Sequence, residues 1–465
     1  MTNEKAETTK DRRRQDHPRK SSPKSSETRV ARGIRKQRAE RLALQSVAQS
    51  AYECLRCAFC FDLSWLGPTN LCPSYAWGSF ESYGGRGRIA IARALLEGQL
   101  DYDESLIPRI FACTECRACA EHCFKYIDTV KVYQRMREDM AARGLLPAQF
   151  KMALDGLAET HNLYDKPHAQ RLSWLKPRHS AKSAERSSRE RGVDASGSRD
   201  RSRIDVPAAT AFFVGCTPSY VRRSLAEDTY SMLEASGIDF TVLSDEWCCG
   251  HPFLAAGQTE RAAEVMQHNV EALQALGVEQ VVFECPGCMH AFREDVPAVL
   301  GQPLPFEVVH ITEAIAQFVE EGRLQFGVYQ PGTVVTYHDP CTLGRGLGIY
   351  DAPRTIIAAM PGTRLQEMPR HGRDGYCCGA GSFVRYDYPA LTDRTGIERF
   401  HEAEGTGAQI VLTSCPACVT QLQNARAQLG STPGATDGAT LAPTDGGTLQ
   451  AMDLISLVKQ IGRWK

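Results

Sequence analysis

The eighteen cysteines of this 465-residue chain fall into four spaced groups, with none left over for incidental packing. Many recur at the C-x-x-C interval, which suits metal ions and iron–sulfur clusters better than it suits disulfides. The N-terminal residues are polar and basic and carry no apolar stretch of the kind a secretory signal needs. We therefore expect a reducing cytoplasm, where cysteines in such numbers serve as metal ligands.

The first two groups have the spacing of ferredoxin motifs. They read Cys54-x2-Cys57-x2-Cys60-x11-Cys72-Pro73 and Cys113-x2-Cys116-x2-Cys119-x3-Cys123. Two-residue gaps let the chain wrap three corners of an Fe4S4 cubane, and in two-cluster ferredoxins the fourth ligand comes from the other motif. That rule predicts two cubanes, one held by Cys54, Cys57, Cys60 and Cys123 and the other by Cys113, Cys116, Cys119 and Cys72.

Two departures from the ferredoxin pattern stand out. Eleven residues precede Cys72 where three are usual, and we interpret them as a loop that leaves Cys72-Pro73 in place. Phe124 stands where the second motif has proline, but this position is not a ligand. The alternative is a pair of zinc sites, although zinc does not need the third regularly spaced cysteine.

The other ten cysteines form two sets of five with nearly equal spacing. The sets are Cys216-x31-Cys248-Cys249-Gly250-x34-Cys285-x2-Cys288 and Cys341-x35-Cys377-Cys378-Gly379-x35-Cys415-x2-Cys418. Five thiols are one more than a cubane or a zinc ion requires, and adjacent cysteines suit bridging or ligation of different irons. The glycine after each pair lets the backbone pass close to a bulky group. Buried structural thiols are the alternative, but they do not explain the same spacing twice.

The elements that position these sets also repeat. In each half an apolar strand leads into the first cysteine, at 211–216 and again at 334–341. A helix, a second strand and Cys-Cys-Gly follow, then another helix and a third strand that ends in Cys-Pro-x-Cys. Alternating strands and helices predict small parallel α/β sheets. Such sheets place their ligand sites after the strand ends, which is where these cysteines stand.

The predicted fold is mixed, with a helical two-cluster domain followed by two homologous α/β domains. We divide the chain into a disordered basic tail (1–45), a two-[4Fe-4S] ferredoxin-type domain (46–150), a helix and Ser/Arg-rich linker (151–206), a first cysteine-rich domain (207–325), a second (326–428), and a low-complexity loop with a C-terminal helix at 450–461 (429–465). The net charge of −1 gives no indication of a nucleic-acid partner. No run approaches the roughly 18 apolar residues of a membrane span.

This combination of motifs resembles the heterodisulfide reductase D-subunit family, whose pattern is C-x(31–39)-C-C-x(35–36)-C-x-x-C. Relatives include the iron–sulfur subunits of glycolate and lactate oxidation. Both five-cysteine sets fit the pattern, and the strings HDPCTLGRGLGIYDAPR, YCCGAGS and RGRIAIARALLEG are typical of the family. The resemblance covers roughly residues 50–425 and is specific for the family but not for a substrate.

The resemblance implies that each five-cysteine (CCG) set holds a non-cubane Fe4S4 cluster and that the two clusters together cleave a disulfide. Cys216, Cys248, Cys249, Cys285 and Cys288 would hold one, and Cys341, Cys377, Cys378, Cys415 and Cys418 the other.

Other side chains near the cysteines have two interpretations each. His338 and His251 are candidates to protonate a leaving thiolate, because imidazole titrates near neutrality. A hydrogen bond to sulfide or backbone is the plainer role for both, and the one we favour. His122 is expected to tune the second cubane and Asp339 to cap the turn before Cys341. Arg345 is either a substrate-binding cation or a surface arginine.

Two functions fit these observations. The first is a reductase subunit in which electrons pass through the cubanes to the paired clusters and reduce a small-molecule disulfide. The second is an electron relay between a flavoprotein dehydrogenase and a membrane quinone or cytochrome. The sequence has no nucleotide fingerprint, so we expect no flavin or nicotinamide site in this chain. The expected partner is a membrane b-type cytochrome or a flavoprotein electron-transfer subunit, with this chain in the cytoplasm or held by that partner on the inner face of the membrane.

Overall fold

The computed structural model describes residues 42–61, 71–175, 203–430 and 449–464. Four predicted features lie wholly or largely outside these residues. They are the basic tail, the loop between Cys60 and Cys72, the Ser/Arg-rich part of the linker and the low-complexity loop near the C-terminus.

The first part of the described chain is helical, as predicted. Its helices are Ala48–Tyr52, Pro73–Gly78, Gly85–Leu96, Ile107–Phe111, Ala118–Glu121, Thr129–Ala141 and Ala148–Thr160, with 3-10 turns at Ala43–Val47, Glu81–Tyr83, Glu104–Leu106 and His168–Gln170. Helix Gly85–Leu96 buries Ile89, Ala92 and Leu95 at intervals of three residues, which forms one apolar face toward the core. Gly98 follows it with φ 68°, a conformation that favours glycine after a helix.

The first five-cysteine set lies on a parallel sheet of order β2-β1-β3-β4. Its strands are β1 (Thr210–Phe213), β2 (Phe240–Thr241), β3 (Gln280–Phe283) and β4 (Glu307–His310). The α-helices around it are Cys216–Tyr220, Arg223–Ala235, His251–Ala255, Thr259–Ala275, Pro286–His290, Val296–Leu300 and Ile311–Glu320, with a π-helix at Ala291–Asp295. Every residue of β1 is buried, as expected of a parallel strand with helices on both faces.

The second set lies on a sheet of the same order, β7-β6-β8-β9. Its strands are β6 (Thr333–Tyr337), β7 (Thr363–Leu365), β8 (Ile410–Thr413) and β9 (Gln450–Asp453). The α-helices are Asp351–Ala358, Val384–Asp387, Pro389–Glu404, Pro416–Gln428 and Leu454–Ile461, with a π-helix at Thr342–Gly346 and 3-10 turns at Gly372–Asp374 and Gly381–Phe383. The duplicated strand order confirms the predicted pair of parallel α/β sheets.

Two features differ from the predicted elements. Each sheet has a fourth strand, β4 or β9, that the sequence pattern did not indicate. The expected helix at 450–461 begins only at Leu454, because residues 450–453 form β9 and Asp453 Oδ1 accepts a hydrogen bond from the Ile455 amide over 2.9 Å. Strand β10 (Gly462–Trp464) then pairs antiparallel with β5 (Leu324–Phe326), which ties the end of the chain to the first α/β domain.

One hydrophobic core joins the two sheets. Phe212 and Val282 of the first sheet and Tyr337 and Leu412 of the second belong to the same buried cluster. The two cysteine-rich domains therefore pack as one body, which holds their strand ends in a fixed relation. Among the described residues, no helix has the length and apolar character to cross a membrane.

Candidate iron–sulfur centres

The first predicted cubane ligands line one recess. Cys54, Cys57, Cys60 and Cys123 all line this recess, together with Gly85 and Ile89. Arg56 and Ala58, between the first three cysteines, have φ values of 57° and 72°. This left-handed backbone turns the loop so that the thiols face the same space.

The second predicted cubane ligands line another recess. Cys72, Cys113, Cys116 and Cys119 all line it. Thr129, which lines the first recess, places its Oγ1 2.8 Å from the Cys119 sulfur. The eight cysteines therefore divide into the same two groups that crossed ligation requires.

The electrostatics of these recesses suit a bound cationic group. Burial raises the pKa of Cys60 to about 12 and that of Cys72 to about 11. Thiolates in such places need a compensating positive charge, which the irons of a cluster provide. Four cysteines that line one recess match the four thiolate ligands of a cubane.

The first five-cysteine set gathers at the ends of β1 and β3. Its thiols interact in an unbroken series, namely Cys216–Cys248–Cys249–Cys288–Cys285. Gly215 has φ 78°, and a Cβ there would lie 3.2 Å from the Cys288 sulfur. Glycine is thus required where the strand turns into the site.

The second set repeats this arrangement at the ends of β6 and β8. Cys341, Cys377, Cys378, Cys418 and Cys415 interact in the same order, and the sulfurs of Cys378 and Cys418 lie 3.3 Å apart. Gly379 has φ 91°, and a Cβ there would lie 2.8 Å from a backbone oxygen. Both sets bring five thiols together, as a cluster with more than four thiolate ligands requires.

Three of the four thiol groups follow one another closely enough to interact. Cys377 of the second set packs with Cys116 of the second cubane recess in one buried cluster, and this neighbour lowers the pKa of Cys116. Cys415 of the second set and Cys285 of the first are close enough for their thiols to interact electrostatically. The second set therefore lies between the cubane recess and the first set.

Arg345 lies at the contact between the second cubane recess and the second set. It interacts electrostatically with Cys116, Cys341 and Cys377. Its Nε donates to the Cys116 carbonyl over 2.7 Å, and its Nη1 donates to the Gly375 carbonyl over 2.7 Å. The sequence suggested either a substrate-binding cation or a surface arginine. These contacts account for the position of Arg345 without either role.

His338 is completely buried beside the second set. Arg399 Nε donates to its Nδ1 over 2.9 Å, so the neutral ring carries its proton on Nε2. Burial lowers the pKa of His338, which keeps the ring neutral. The imidazole lies within 4.8 Å of the sulfurs of Cys378 and Cys418. This geometry suits an N–H donor to a ligand or cluster sulfur better than an acid that protonates a thiolate.

The side chains of the other candidate polar residues pair with carboxylates or with an arginine. His251 Nδ1 is 4.0 Å from Asp295 Oδ2, and His122 Nε2 is 3.3 Å from Asp374 Oδ1. Asp339 accepts from both Nη atoms of Arg354, over 2.8 and 3.0 Å, and from the Gly372 amide over 2.7 Å. Asp339 thus fixes a neighbouring loop, where the sequence had suggested a cap for the turn before Cys341.

Sequence reasoning did not find the aromatic stack beside the first set. Trp247, which precedes Cys248, lies between His161 and His268 with ring centroids 3.6 and 3.8 Å away. The Cys248 amide donates to the His161 carbonyl over 2.9 Å. The stack fixes the Cys-Cys-Gly loop from its outer side. A tryptophan before the cysteine pair was the one signal in the sequence.

Comparison with known proteins matches each part of this arrangement. A 4Fe-4S dicluster domain model matches residues 50–127, and a Cysteine-rich domain (CCG) model matches residues 210–293 and 335–423. These matches, together with the fold, define an iron–sulfur oxidoreductase subunit with one dicluster domain and two cysteine-rich domains.

The relatives identify the family. The D-subunit of dihydromethanophenazine:CoB–CoM heterodisulfide reductase of Methanosarcina barkeri is 32% identical over 402 residues, which cover 81% of this chain and 90% of that protein. The chain therefore belongs to the heterodisulfide reductase D-subunit family, as its motifs predicted.

Other relatives share the modules within different proteins. EtfAB:quinone oxidoreductase of Syntrophomonas wolfei is 28% identical and matches 70% of this chain but only 45% of its own length. The B-subunit of fumarate reductase (CoM/CoB) of Methanothermobacter marburgensis is 25% identical and matches 66% of this chain and 56% of its own length. The shared modules thus serve several oxidoreductases.

Proposed function

We propose that this chain is the disulfide-reducing subunit of an oxidoreductase complex. It would take electrons one at a time from a partner and reduce a low-molecular-weight disulfide at the paired five-cysteine sets. The observation that carries this proposal is that two complete five-cysteine sets lie on like sheets joined by one core, with Cys285 and Cys415 close enough to interact electrostatically. A disulfide needs two electrons and two protons to give two thiols, so two adjacent one-electron sites match its stoichiometry.

The ligands would be those named from the sequence, with two cubanes in the recesses and a non-cubane cluster on each five-cysteine set. When bound, these clusters supply one-electron transfer and iron that binds thiolate. The contact between Cys116 and Cys377 supports electron input at the second set rather than the first. His338 would hold an N–H toward the sulfurs of Cys378 and Cys418.

The partner we propose is a membrane b-type cytochrome or a flavoprotein electron-transfer subunit. The chain itself would lie in the cytoplasm, or be held on the inner face of the membrane by that partner. The disulfide named in its relatives, that of CoB and CoM, is the first substrate to assay.

A second function, an electron relay without a substrate of its own, is favoured by the match to EtfAB:quinone oxidoreductase. In that case the five-cysteine sets would pass electrons between a flavoprotein and a quinone or cytochrome. Thiols and disulfides would then leave the cluster spectra unchanged.

The test uses anaerobically purified protein with about sixteen irons, four clusters of four. The protein is reduced with benzyl viologen radical and offered CoB–CoM heterodisulfide and other small disulfides. The proposal expects two radicals oxidised and two thiols released per disulfide, and loss of this activity in Cys285→Ser with the cubanes still reducible. Protein that carries all four clusters, responds to no thiol or disulfide, and still passes electrons from a flavoprotein would establish the relay instead.

A further inference from the structure

Large apolar side chains are exposed around the first cubane recess. Tyr52, Leu55, Phe124 and Tyr126 are 47, 64, 61 and 90% exposed. They come from two segments that also carry cysteines of this recess, Cys54 and Cys123. Exposed apolar side chains that gather at one place, instead of being scattered singly, mark a contact surface.

Two cations lie among these apolar side chains. Arg56 and Lys125 are both exposed, and neither forms an ion pair within the part of the chain that the structure describes. Two carboxylates lie nearby. Asp128 pairs with Arg117 over 3.7 Å, whereas Glu53 accepts from the neutral Gln49 amide over 2.9 Å and keeps its negative charge. Arg56 and Lys125 against Glu53 alone leave one net positive charge on this surface.

The surface adjoins the most accessible thiol of the chain. Cys57 is the one exposed cysteine among the eighteen, all of which lie in the described residues. A protein seated on Leu55, Phe124 and Tyr126 would therefore bring its own redox group to the edge of the first recess. Further along the thiol series, Cys377 and Cys415 of the second set are buried.

We infer that Tyr52, Leu55, Arg56, Phe124, Lys125 and Tyr126 (the Leu55 face) form the docking surface for a one-electron carrier protein with an acidic surface around its redox group. This inference rests on the proposed function, since it names where electrons are delivered. Weak electron-transfer encounters bury less than about 1,200 Å², a size that an apolar centre with a charged rim can provide. The free cations would steer an acidic partner and make its association depend on ionic strength.

The test is stopped-flow reduction of the oxidised holoprotein by two donors. One is a chemically reduced acidic [2Fe–2S] ferredoxin, and the other is benzyl viologen radical, which needs no docking surface. The variants are Leu55→Ser/Tyr126→Asn and Lys125→Glu. Asparagine suits position 126, where φ is 54°. The matched control is the double variant Lys151→Glu/Met152→Ser on helix Ala148–Thr160. It removes one exposed cation and one apolar side chain that is 61% exposed.

We expect both Leu55-face variants to slow reduction by ferredoxin about tenfold at low ionic strength, with a weaker salt dependence in Lys125→Glu. Reduction by viologen, iron content and the control variant should stay at wild-type values. The inference is overturned if ferredoxin reduces the Leu55-face variants as fast as it reduces the control variant. It is also overturned if the Leu55-face variants change oligomeric state while ferredoxin reduces them at the wild-type rate. If ferredoxin reduces the Leu55-face variants more slowly but the protein never reduces a disulfide, the docking surface is supported and the reductase function is rejected.

Discussion

Arg345 donates through Nε to the backbone carbonyl of Cys116, over 2.7 Å, although the two residues belong to different domains. Its guanidinium also interacts electrostatically with Cys341 and Cys377. One fixed positive charge therefore lies between a proposed cubane and a proposed five-cysteine cluster. A cation in this position stabilises the reduced, more negative form of both.

Replacing Arg345 with Gln should lower the reduction potentials of the second cubane and the second five-cysteine cluster. Removal of one charge a few ångströms away, at the effective dielectric constant of about 20 that suits proteins, corresponds to a shift on the order of 100–200 mV for a one-electron cluster. Redox titration followed by electron paramagnetic resonance measures it. Arg345→Lys keeps the charge and should shift the potentials much less. Equal shifts in both variants would show that hydrogen bonding to the backbone, not charge, is what matters.

Arg137 ties the ferredoxin-type region to both cysteine-rich domains. The side chain is fully buried, and its guanidinium donates to the carbonyl of Cys113 over 3.2 Å, to the carbonyl of Ala255 over 2.8 Å and to Ser382 Oγ over 2.7 Å. Glu115 Oε1 balances its charge at 2.9 Å. Each of these acceptors is left without its donor if the guanidinium is removed.

Arg137→Met should therefore destabilise the protein by about 3–5 kcal/mol, because it leaves the buried Glu115 carboxylate unpaired. Arg135→Met is the matched control on the same helix. Its partly exposed pair with Glu138 should contribute at most about 1 kcal/mol. Thermal unfolding and limited proteolysis of anaerobic holoprotein give the comparison. Similar losses in both variants would contradict the assigned role of Arg137.

Asp453, at the end of β9, gives the fold a pH-dependent weakness. The carboxyl is buried, and burial raises its pKa to about 7. An unfolded aspartate titrates near 3.9, so between about pH 4 and pH 7 the folded state holds a proton that the unfolded state has lost. The contribution of Asp453 to the free energy of unfolding is therefore complete below about pH 4 and is lost as the pH rises from about 4 to 7.

Asp453→Asn should remove this dependence while keeping an oxygen to accept from the Ile455 amide. We expect the variant to melt at the wild-type temperature near pH 4 and above it at pH 8. The difference should reach at most about 4 kcal/mol, the equivalent of three pKa units. Melting curves across this range decide the point. A variant that is less stable than the wild type at pH 8 would mean that the ionised carboxylate contributes to the fold.

Local patterns in the sequence were enough to predict the repeated α/β sheets. The strands that lead into Cys216 and Cys341 are short apolar runs before a ligand, and the structure places β1 and β6 there. The fourth strands were missed because Glu307–His310 is half exposed and Gln450–Asp453 follows a low-complexity segment. Neither has the continuous apolar run that signals a buried strand.

Contacts between domains could not be predicted in this way. Nothing in the residues around Arg345 shows that Cys116, more than 200 residues earlier, accepts its hydrogen bond. The contact between Cys116 and Cys377 likewise depends on how two domains pack, which neither periodicity nor motif spacing encodes. Arg345, which the sequence left as a substrate-binding cation or a surface arginine, is therefore placed between two thiol groups by packing that the sequence does not show.

Crossed ligation of the cubanes can be tested at Cys72. Cys72 lines the recess of Cys113, Cys116 and Cys119, and it immediately precedes helix Pro73–Gly78. Because the first three cysteines of its own motif line the other recess, Cys72→Ala should remove a ligand from the cluster of the second motif only.

Iron analysis and electron paramagnetic resonance of the reduced protein should show loss or conversion of one cubane in Cys72→Ala. Cys57→Ala, which changes the other recess, is the matched control and should damage the other signal. The two cubanes can be told apart because Arg345 lies beside the recess of Cys116, so that Arg345→Gln should shift the potential of that cubane and not of the other. If Cys72→Ala and Cys57→Ala abolish the same signal, each motif holds its own cluster and the eleven-residue insertion has changed the ligation.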